Sequence, residues 1–250
     1  MAISIAVAGK GGTGKTTITA LIVRYLKENK KGPVLVMDAD PDANLGTLLG
    51  VKPEKSLGDL REEILREIKK LPSGMSKAAY LEAGLHQIIA EADGFDLIAM
   101  GRGEGPGCYC YLNSLIRKFS EDLTPSYAWV VMDNEAGLEH LSRRTTNNID
   151  ALIVVVNENP LSFDTARNIE SITASIKNNI RRKCLVTNMV RPEKLPLVMK
   201  RISGLRLDHI GDIPVDPVLE NAIFEGQSIM NLQNSIAFES IRRIMKTIGE

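Results

Sequence analysis

Residues 3–17 read ISIAVAGKGGTGKTT, and this stretch decides the fold. It begins with the apolar run Ile3–Ala8, passes through a segment rich in glycine and opens a helical pattern at Lys15. The spacing of a phosphate-binding loop is a glycine, four residues and then glycine–lysine–threonine, and here it is satisfied by Gly9, Gly14, Lys15 and Thr16. In such a loop the backbone N–H groups face phosphate oxygens, and the dipole of the following helix adds positive potential. The stretch therefore predicts a strand–loop–helix unit that binds a nucleotide.

The composition is that of a soluble globular protein, with 250 residues of which 44% are hydrophobic and 25% are charged. Basic and acidic residues number 31 each, so the net charge is 0 and a nucleic-acid-binding protein is not expected. The longest apolar run, Ala151–Val156, is far shorter than the roughly 20 residues that span a bilayer. No signal-peptide pattern precedes Ile3–Ala8. We expect a cytoplasmic protein, without stable membrane association, whose cysteines are reduced.

Short apolar runs alternate with longer helical patterns along the chain. Strands are predicted at Ile3–Ala8, Val34–Met37, Leu97–Met100, Trp129–Met132, Leu152–Val156, Lys183–Thr187 and Leu205–Ile210. Helices are predicted at Lys15–Asn29, Leu57–Lys69, Ser76–Ala92, Leu112–Glu121, Ser162–Asn178 and Ile236–Ile248. This order predicts a single α/β domain over residues 1–250, with a doubly wound, mostly parallel sheet flanked by helices.

The nucleotide-binding loop supplies the first set of candidate site residues. Lys15 is expected to reach the outer phosphates, and the Thr16 hydroxyl is expected to coordinate Mg²⁺. The other residues expected to contact the nucleotide in this segment are Gly11, Gly12, Thr13, Gly14 and Thr17. Asp133 follows the strand predicted at Trp129–Met132, where an aspartate holds Mg²⁺ in phosphate-loop enzymes, usually through water.

A second lysine in the loop narrows the class of protein. Lys10 makes the run Lys-Gly-Gly-Thr-Gly-Lys-Thr, residues 10–16. This run resembles the deviant phosphate loop of the family that contains the nitrogenase iron protein and the septum-site and plasmid-partition ATPases. The resemblance implies an ATP-hydrolysing homodimer in which Lys10 crosses the interface to the partner's bound nucleotide. It also implies that Asp40 positions or activates the attacking water and that Asp38 supports the Mg²⁺ shell.

The same resemblance implies where the adenine lies. Asn188 ends the strand predicted at Lys183–Thr187, and the segment IPVDP follows at residues 213–217. In the resembled family, an asparagine and a Pro-x-Asp segment at these two places hold the base. The residues expected to do so here are Asn188, Pro214, Val215 and Asp216.

A Cys-x-Cys pair lies in the segment GPGCYC at residues 105–110. Cys108 and Cys110 supply half of the four ligands of a tetrahedral Zn²⁺ site, and a two-fold axis would complete it. Soft sulfur ligands also permit Ni²⁺. On spacing alone, two buried thiols or a redox switch remain open, whereas Cys184 lies within an apolar strand and is expected in the core.

The combination of GPGCYC, Lys10 and the run EAGLEHL at residues 135–141 resembles the CooC-type nickel-insertion ATPases. That resemblance implies a metallochaperone that binds Ni²⁺ or Zn²⁺ between two chains. Its client would be carbon monoxide dehydrogenase or acetyl-CoA synthase. Within EAGLEHL, Gly137 would permit backbone approach to the γ-phosphate, and His140 is not expected to act as a general base.

Two other functions remain as alternatives. One is a switch of the septum or partition type that acts on a membrane or DNA, for which the apolar stripe of Ile236–Ile248 could serve. The same stripe fits a helix packed on the sheet, which is the more common arrangement. The other is an electron-donor ATPase with an iron–sulfur cluster, although the run at residues 133–141 contains no second cysteine.

Overall fold

The strands form one twisted layer. The computed structural model describes residues 2–40, 42, 44–67, 84–101, 123–134, 148–175 and 179–249. Over these residues one eight-stranded sheet is formed by β1 (Ile3–Gly9), β2 (Val34–Asp38), β3 (Ile89–Ala92), β4 (Phe95–Ala99), β5 (Trp129–Asp133), β6 (Asn148–Val156), β7 (Asn179–Asn188) and β8 (Asp208–Ile213). The strand order is β3-β4-β2-β5-β1-β6-β7-β8, and all pairs are parallel except β3–β4. This confirms the predicted α/β class with a mostly parallel sheet.

Helices follow the strands on both faces of the sheet. The α-helices of the described ranges are α1 (Lys15–Glu28), α2 (Leu45–Leu49), α3 (Leu57–Glu67), α4 (Pro160–Ser175), α5 (Leu195–Ile202), α6 (Pro217–Phe224) and α7 (Ile236–Gly249). Short 3-10 helices occur at Thr124–Ser126, Pro192–Lys194 and Ile229–Asn231. Of these elements, α2, α5 and α6 are short and were not expected from the sequence.

Two hydrophobic cores lie on opposite faces of the sheet. Along β1 the side chains alternate, so that Ile5 and Val7 enter one core while Ala6 and Ala8 enter the other. The first core includes α1 and α7, and the second includes α4 and α5. Because helices cover both faces, the central strands are apolar throughout rather than alternating with polar residues.

The C-terminal helix contributes to the first core. Ile241, Ile244 and Met245 of α7 are buried, whereas Ile236 at its first turn is 50% exposed. The apolar stripe of this helix therefore packs on the sheet, as in the more common of the two arrangements considered from the sequence. Among the described residues, no helix is long and apolar enough to cross a membrane.

Two segments differ from the sequence prediction. Residues 89–92 form the edge strand β3 rather than the end of a helix over Ser76–Ala92. The turn Asp93–Gly94, with Gly94 at φ 83°, lets β3 fold back antiparallel to β4, and this long-range pairing overrides the local helical pattern. The last strand is Asp208–Ile213 rather than Leu205–Ile210, because it pairs with the end of β7.

Candidate functional site

The phosphate loop joins β1 to α1 through a tight turn. Gly12 and Gly14 have φ of 80° and 86°, in the left-handed region that favours glycine. The Thr13 N–H and hydroxyl both donate to the Lys10 carbonyl oxygen, at 3.2 Å and 2.8 Å. A Cβ added at Gly11 or Gly12 would meet no described atom within 4 Å. The loop is therefore closed on itself and open on the side where phosphates would bind.

The two lysines of the loop lie in different environments. Lys15 is 7% exposed, and its Nζ donates to the Lys10 carbonyl oxygen at 3.4 Å. The Lys10 side chain is half-buried at the start of the loop. Thr16 and Thr17 lie half-buried in the first turn of α1, as a ligand set around a bound triphosphate requires. The loop thus brings the predicted phosphate-binding side chains together.

The end of β7 supports the loop from one side. The Asn188 side chain is 5% exposed, and its Nδ2 donates to the Thr13 carbonyl oxygen at 2.8 Å. A Cβ at Gly14 would lie 2.4 Å from the same nitrogen. Glycine is therefore required at position 14 by both its φ and the closeness of this amide. The structure assigns the amide nitrogen of Asn188 to the loop backbone, a contact that sequence reasoning did not anticipate.

Two buried aspartates lie on the opposite side of β1 from Asn188. Asp38 ends β2 and is 1% exposed, Asp133 ends β5 and is 0% exposed, and the two face each other in the strand register. The Asp38 carboxylate accepts the Asp40 N–H at 3.1 Å and the Leu45 N–H at 3.0 Å. Burial raises the pKa of Asp38 to about 6, although these two hydrogen bonds oppose the rise.

Both oxygens of the Asp38 carboxylate accept a hydrogen bond, whereas one oxygen of the Asp133 carboxylate accepts none from the described residues. Its Oδ1 accepts the Thr19 hydroxyl at 3.4 Å, but its buried Oδ2 has no hydrogen-bond partner among the described residues. Burial raises the pKa of Asp133 to about 7; the Thr16 hydroxyl and the Lys15 charge oppose the rise, and the Asp38 charge adds to it. A buried carboxylate oxygen that lacks a donor is unfavourable unless a cation binds there.

The residues around Asp133 fit a Mg²⁺ ion. Mg²⁺ prefers oxygen ligands and is held by one or two carboxylates together with phosphates and water. The Asp133 Oδ2 atom and the nearby Thr16 hydroxyl are such ligands, with Asp38 beside them. Asp40 is half-buried at the start of the following loop, where its Oδ1 accepts the Asp42 N–H at 3.0 Å.

Asp216 joins two helices through its carboxylate. Its Oδ1 accepts the N–H groups of Val218 and Leu219 at 3.0 Å and 3.2 Å, which caps α6. Its Oδ2 accepts the Ser235 hydroxyl at 2.6 Å and the Ala237 N–H at 3.0 Å, which ties α6 to the start of α7. Burial alone would raise the pKa of Asp216, but these hydrogen bonds together hold it below its usual value. Both oxygens thus accept hydrogen bonds within the fold, and the contact between Asp216 and adenine stays a prediction.

The other two residues of the Pro-x-Asp segment remain available. Pro214 and Val215 follow β8 and are exposed at the same edge of the sheet as the loop. A further contact that was not expected comes from the end of β6, where the Asn157 Nδ2 donates to the Gly12 carbonyl oxygen at 3.4 Å. The sequence feature that could have predicted this contact is a polar side chain directly after a buried strand.

The predicted metal-binding cysteines, Cys108 and Cys110, lie outside the described residues, as do Gly137 and His140. Within the ranges that the structure describes, no group of three or more His, Cys, Asp or Glu residues could hold a metal ion. Cys184 is buried in β7, as expected, and burial raises the pKa of its thiol.

Comparisons with known proteins show the family of the chain. Residues 4–229 match the model of the CobQ/CobB/MinD/ParA nucleotide binding domain. The chain is 38% identical to an uncharacterized ATP-binding protein of Methanocaldococcus jannaschii, over 98% of this chain and 97% of that protein. It is 30% identical to the carbon monoxide dehydrogenase accessory protein CooC of Rhodospirillum rubrum, over 91% of this chain and 89% of that protein.

A solved structure is similar over the whole chain. The MinD cell division protein of Aquifex aeolicus superposes with a TM-score of 0.70 at 22% identity, covering 100% of this chain and 98% of that one. This likeness shows the fold, while the family match and the ATP-binding relatives show the chemistry. The chain therefore belongs to the CobQ/CobB/MinD/ParA family of nucleotide-binding proteins and is an ATPase.

Proposed function

We propose that this ATPase is a metallochaperone that helps to insert nickel into carbon monoxide dehydrogenase or acetyl-CoA synthase. It would work as a nucleotide-gated homodimer that binds Ni²⁺ or Zn²⁺ through Cys108 and Cys110 of each chain. The observation that carries the proposal is the 30% identity to a carbon monoxide dehydrogenase accessory protein along nearly the whole chain, in a sequence that also has GPGCYC.

Hydrolysis would use the side chains around the phosphate loop. Lys15 and the loop N–H groups hold the phosphates, and Lys10 reaches the nucleotide of the partner subunit. Asp40 positions or activates the water, whose oxygen bonds to the γ-phosphorus as the bond to the β–γ bridging oxygen breaks, giving ADP and phosphate. Mg²⁺, held by Thr16 and Asp133 with support from Asp38, would stabilise negative charge on the phosphates.

The described backbone links the nucleotide site to the segment that precedes the cysteines. The Met100 N–H donates to the Asp38 carbonyl oxygen at 2.8 Å, and the Met100 carbonyl oxygen accepts the Gly58 N–H at 3.0 Å. Gly101 follows in the left-handed conformation at φ 64°, and Cys108 comes seven residues later in the sequence. A shift of the backbone at Asp38 on nucleotide binding would therefore be felt at Met100, eight residues before Cys108 in the sequence.

The test is the molecular mass of the protein in solution with Ni²⁺ or Zn²⁺, measured with and without Mg·ATP. We expect metal-dependent dimers that are lost in Cys108→Ser/Cys110→Ser. Cys184→Ala is the matched control, because this thiol is buried in β7 and should not contribute to the metal site. Metal-dependent dimerisation that survives in the double variant would refute the metal role.

Further measurements separate the alternatives. A switch of the septum or partition type predicts ATP-dependent sedimentation with liposomes or DNA, which the metallochaperone does not. An iron–sulfur electron donor predicts a coloured protein after anaerobic purification.

Lys15→Ala should abolish ATP hydrolysis. Lys10→Ala should abolish only the hydrolysis that depends on dimer formation, because Lys15 still holds the phosphates within each chain.

A further inference from the structure

Met189 has a backbone conformation that methionine rarely adopts. Its φ is 54°, in the left-handed region where a Cβ is crowded by the neighbouring backbone. Among the described residues, the other non-glycine residues with positive φ are Lys30 and Asn234. Lys30 lies just beyond the C-terminal end of α1, where its N–H donates back to the Lys27 carbonyl oxygen at 3.0 Å. Asn234 is of a residue type that tolerates this conformation. Met189 follows a strand, so neither explanation applies to it.

The turn at Met189 joins three parts of the nucleotide site. Its N–H donates to the Ile213 carbonyl oxygen at 2.9 Å, which ties the end of β7 to the end of β8. The preceding residue, Asn188, donates from its side chain to the Thr13 carbonyl oxygen. The methyl carbon of Met189 lies 3.7 Å from the position that a Cβ on Gly14 would take. The half-buried thioether is therefore directed to the loop at the point where α1 begins.

The order of the strands indicates where the base of a bound nucleotide lies. Asp38 and Asp133 are on β2 and β5, on one side of β1, and mark the side of the Mg²⁺ ion and the terminal phosphates. The base lies at the opposite end of the nucleotide from the terminal phosphate, so it extends toward β6, β7 and β8. On that side, Asp216 is taken up by helix caps, while Met189 and the 41% exposed Val215 offer apolar surface.

We propose that Met189 binds the purine base, with its thioether forming the surface on which the ring rests. Sulfur–aromatic contacts are favourable, and a flexible thioether adapts to a flat ring. The unfavourable backbone conformation is retained because it directs this side chain to the base. This inference rests on the ATP-dependent function proposed above. It adds a residue that contacts the base, whereas the loop residues contact the phosphates.

The test compares binding of Mg·ATP with binding of magnesium tripolyphosphate, which lacks the base and the ribose, by calorimetry. Met189→Gly should weaken ATP binding by about three- to tenfold, the size of a lost sulfur–aromatic contact, and leave tripolyphosphate binding within about twofold. Met189→Leu keeps an apolar side chain but lacks the sulfur, so its ATP affinity should lie between those of the wild-type protein and Met189→Gly. Lys30→Gly, the same change at another left-handed position far from the site, should alter neither affinity. Met189→Asn, which also tolerates the conformation, replaces Met189→Gly if that variant does not fold.

The outcomes are distinguishable. Equal losses of ATP and tripolyphosphate affinity in Met189→Gly would show that Met189 supports the phosphate loop, and would overturn the base-binding role. Unchanged ATP affinity in that variant would overturn it as well. If the wild-type protein bound tripolyphosphate and ATP equally well, no base contact would exist at all. Failure of the wild-type protein to bind any nucleotide would instead refute the ATP-dependent function.

Discussion

Asp133→Asn should stabilise the nucleotide-free protein and remove its response to Mg·ATP. The carboxylate is fully buried, and its pKa is raised from 3.8 to about 7. Above pH 7 the Asp133 carboxylate is charged and buried in the folded protein, whereas in the unfolded chain it is exposed to water. This burial lowers the free energy of unfolding by roughly 4 kcal/mol at pH 8. The asparagine amide has the same size and carries no charge, but some of its hydrogen-bonding groups also lack partners. We therefore expect Asp133→Asn to regain about half of this free energy, roughly 2 kcal/mol. For a chain of this length that is a rise in Tm of roughly 4–8 °C.

The raised pKa of Asp133 also determines how the stability of the protein changes with pH. Because the folded-state pKa of Asp133 is raised, the folded protein keeps the proton that the unfolded chain loses above its ordinary pKa of 3.8. The free energy of unfolding of the wild-type protein should therefore fall as the pH rises from about 4 to about 7. Asp38, with its pKa raised to about 6, acts in the same direction. The advantage of Asp133→Asn should grow over the same range.

The assay is thermal unfolding by circular dichroism at pH 5 and pH 8, with and without Mg·ATP. At about 100 times the dissociation constant, Mg·ATP should stabilise the wild-type protein by about 2.7 kcal/mol, and most of this should be absent in Asp133→Asn. Asp93→Asn is the matched control: its side chain is 92% exposed, the Asn-Gly pair preserves the turn, and the ion pair with Lys27 that it removes is on the surface, so its Tm should change little. A lower Tm for nucleotide-free Asp133→Asn at pH 8, or a gain equal at both pH values, would refute the reasoning.

Other substitutions separate folding from binding. Gly14→Ala should lower the free energy of unfolding by about 2 kcal/mol or more in urea unfolding, because φ is 86° and the new Cβ meets Asn188 at 2.4 Å. Gly11→Ala, which faces open space, should leave that stability nearly unchanged yet weaken ATP binding in calorimetry. Asp216→Ala should cost about 2–4 kcal/mol in the same unfolding experiment, since it caps two helices, but leave ATP affinity within about twofold. A large loss of ATP affinity in folded Asp216→Ala would restore this residue to the base site.

Much of the fold followed from local pattern. The apolar runs before Gly9, Asp38 and Asp133 predicted buried parallel strands, because helices on both faces leave no polar side. The helical pattern over Ser76–Ala92 was wrong at its end, since the edge strand β3 exists only through its pairing with β4. Pairing partners far along the chain cannot be identified from local periodicity.

The sequence by itself determined the phosphate loop and the strand-end aspartates, because glycine spacing and the end of an apolar run are local properties. Only the tertiary structure decided how the remaining side chains are used. Asn188 supports the loop through Thr13, Asp216 joins two helices, and Met189 is held in a left-handed turn beside Gly14. A carboxylate or amide near a site can bind either a ligand or the protein's own backbone. That choice depends on which N–H and C=O groups the fold brings within hydrogen-bond distance.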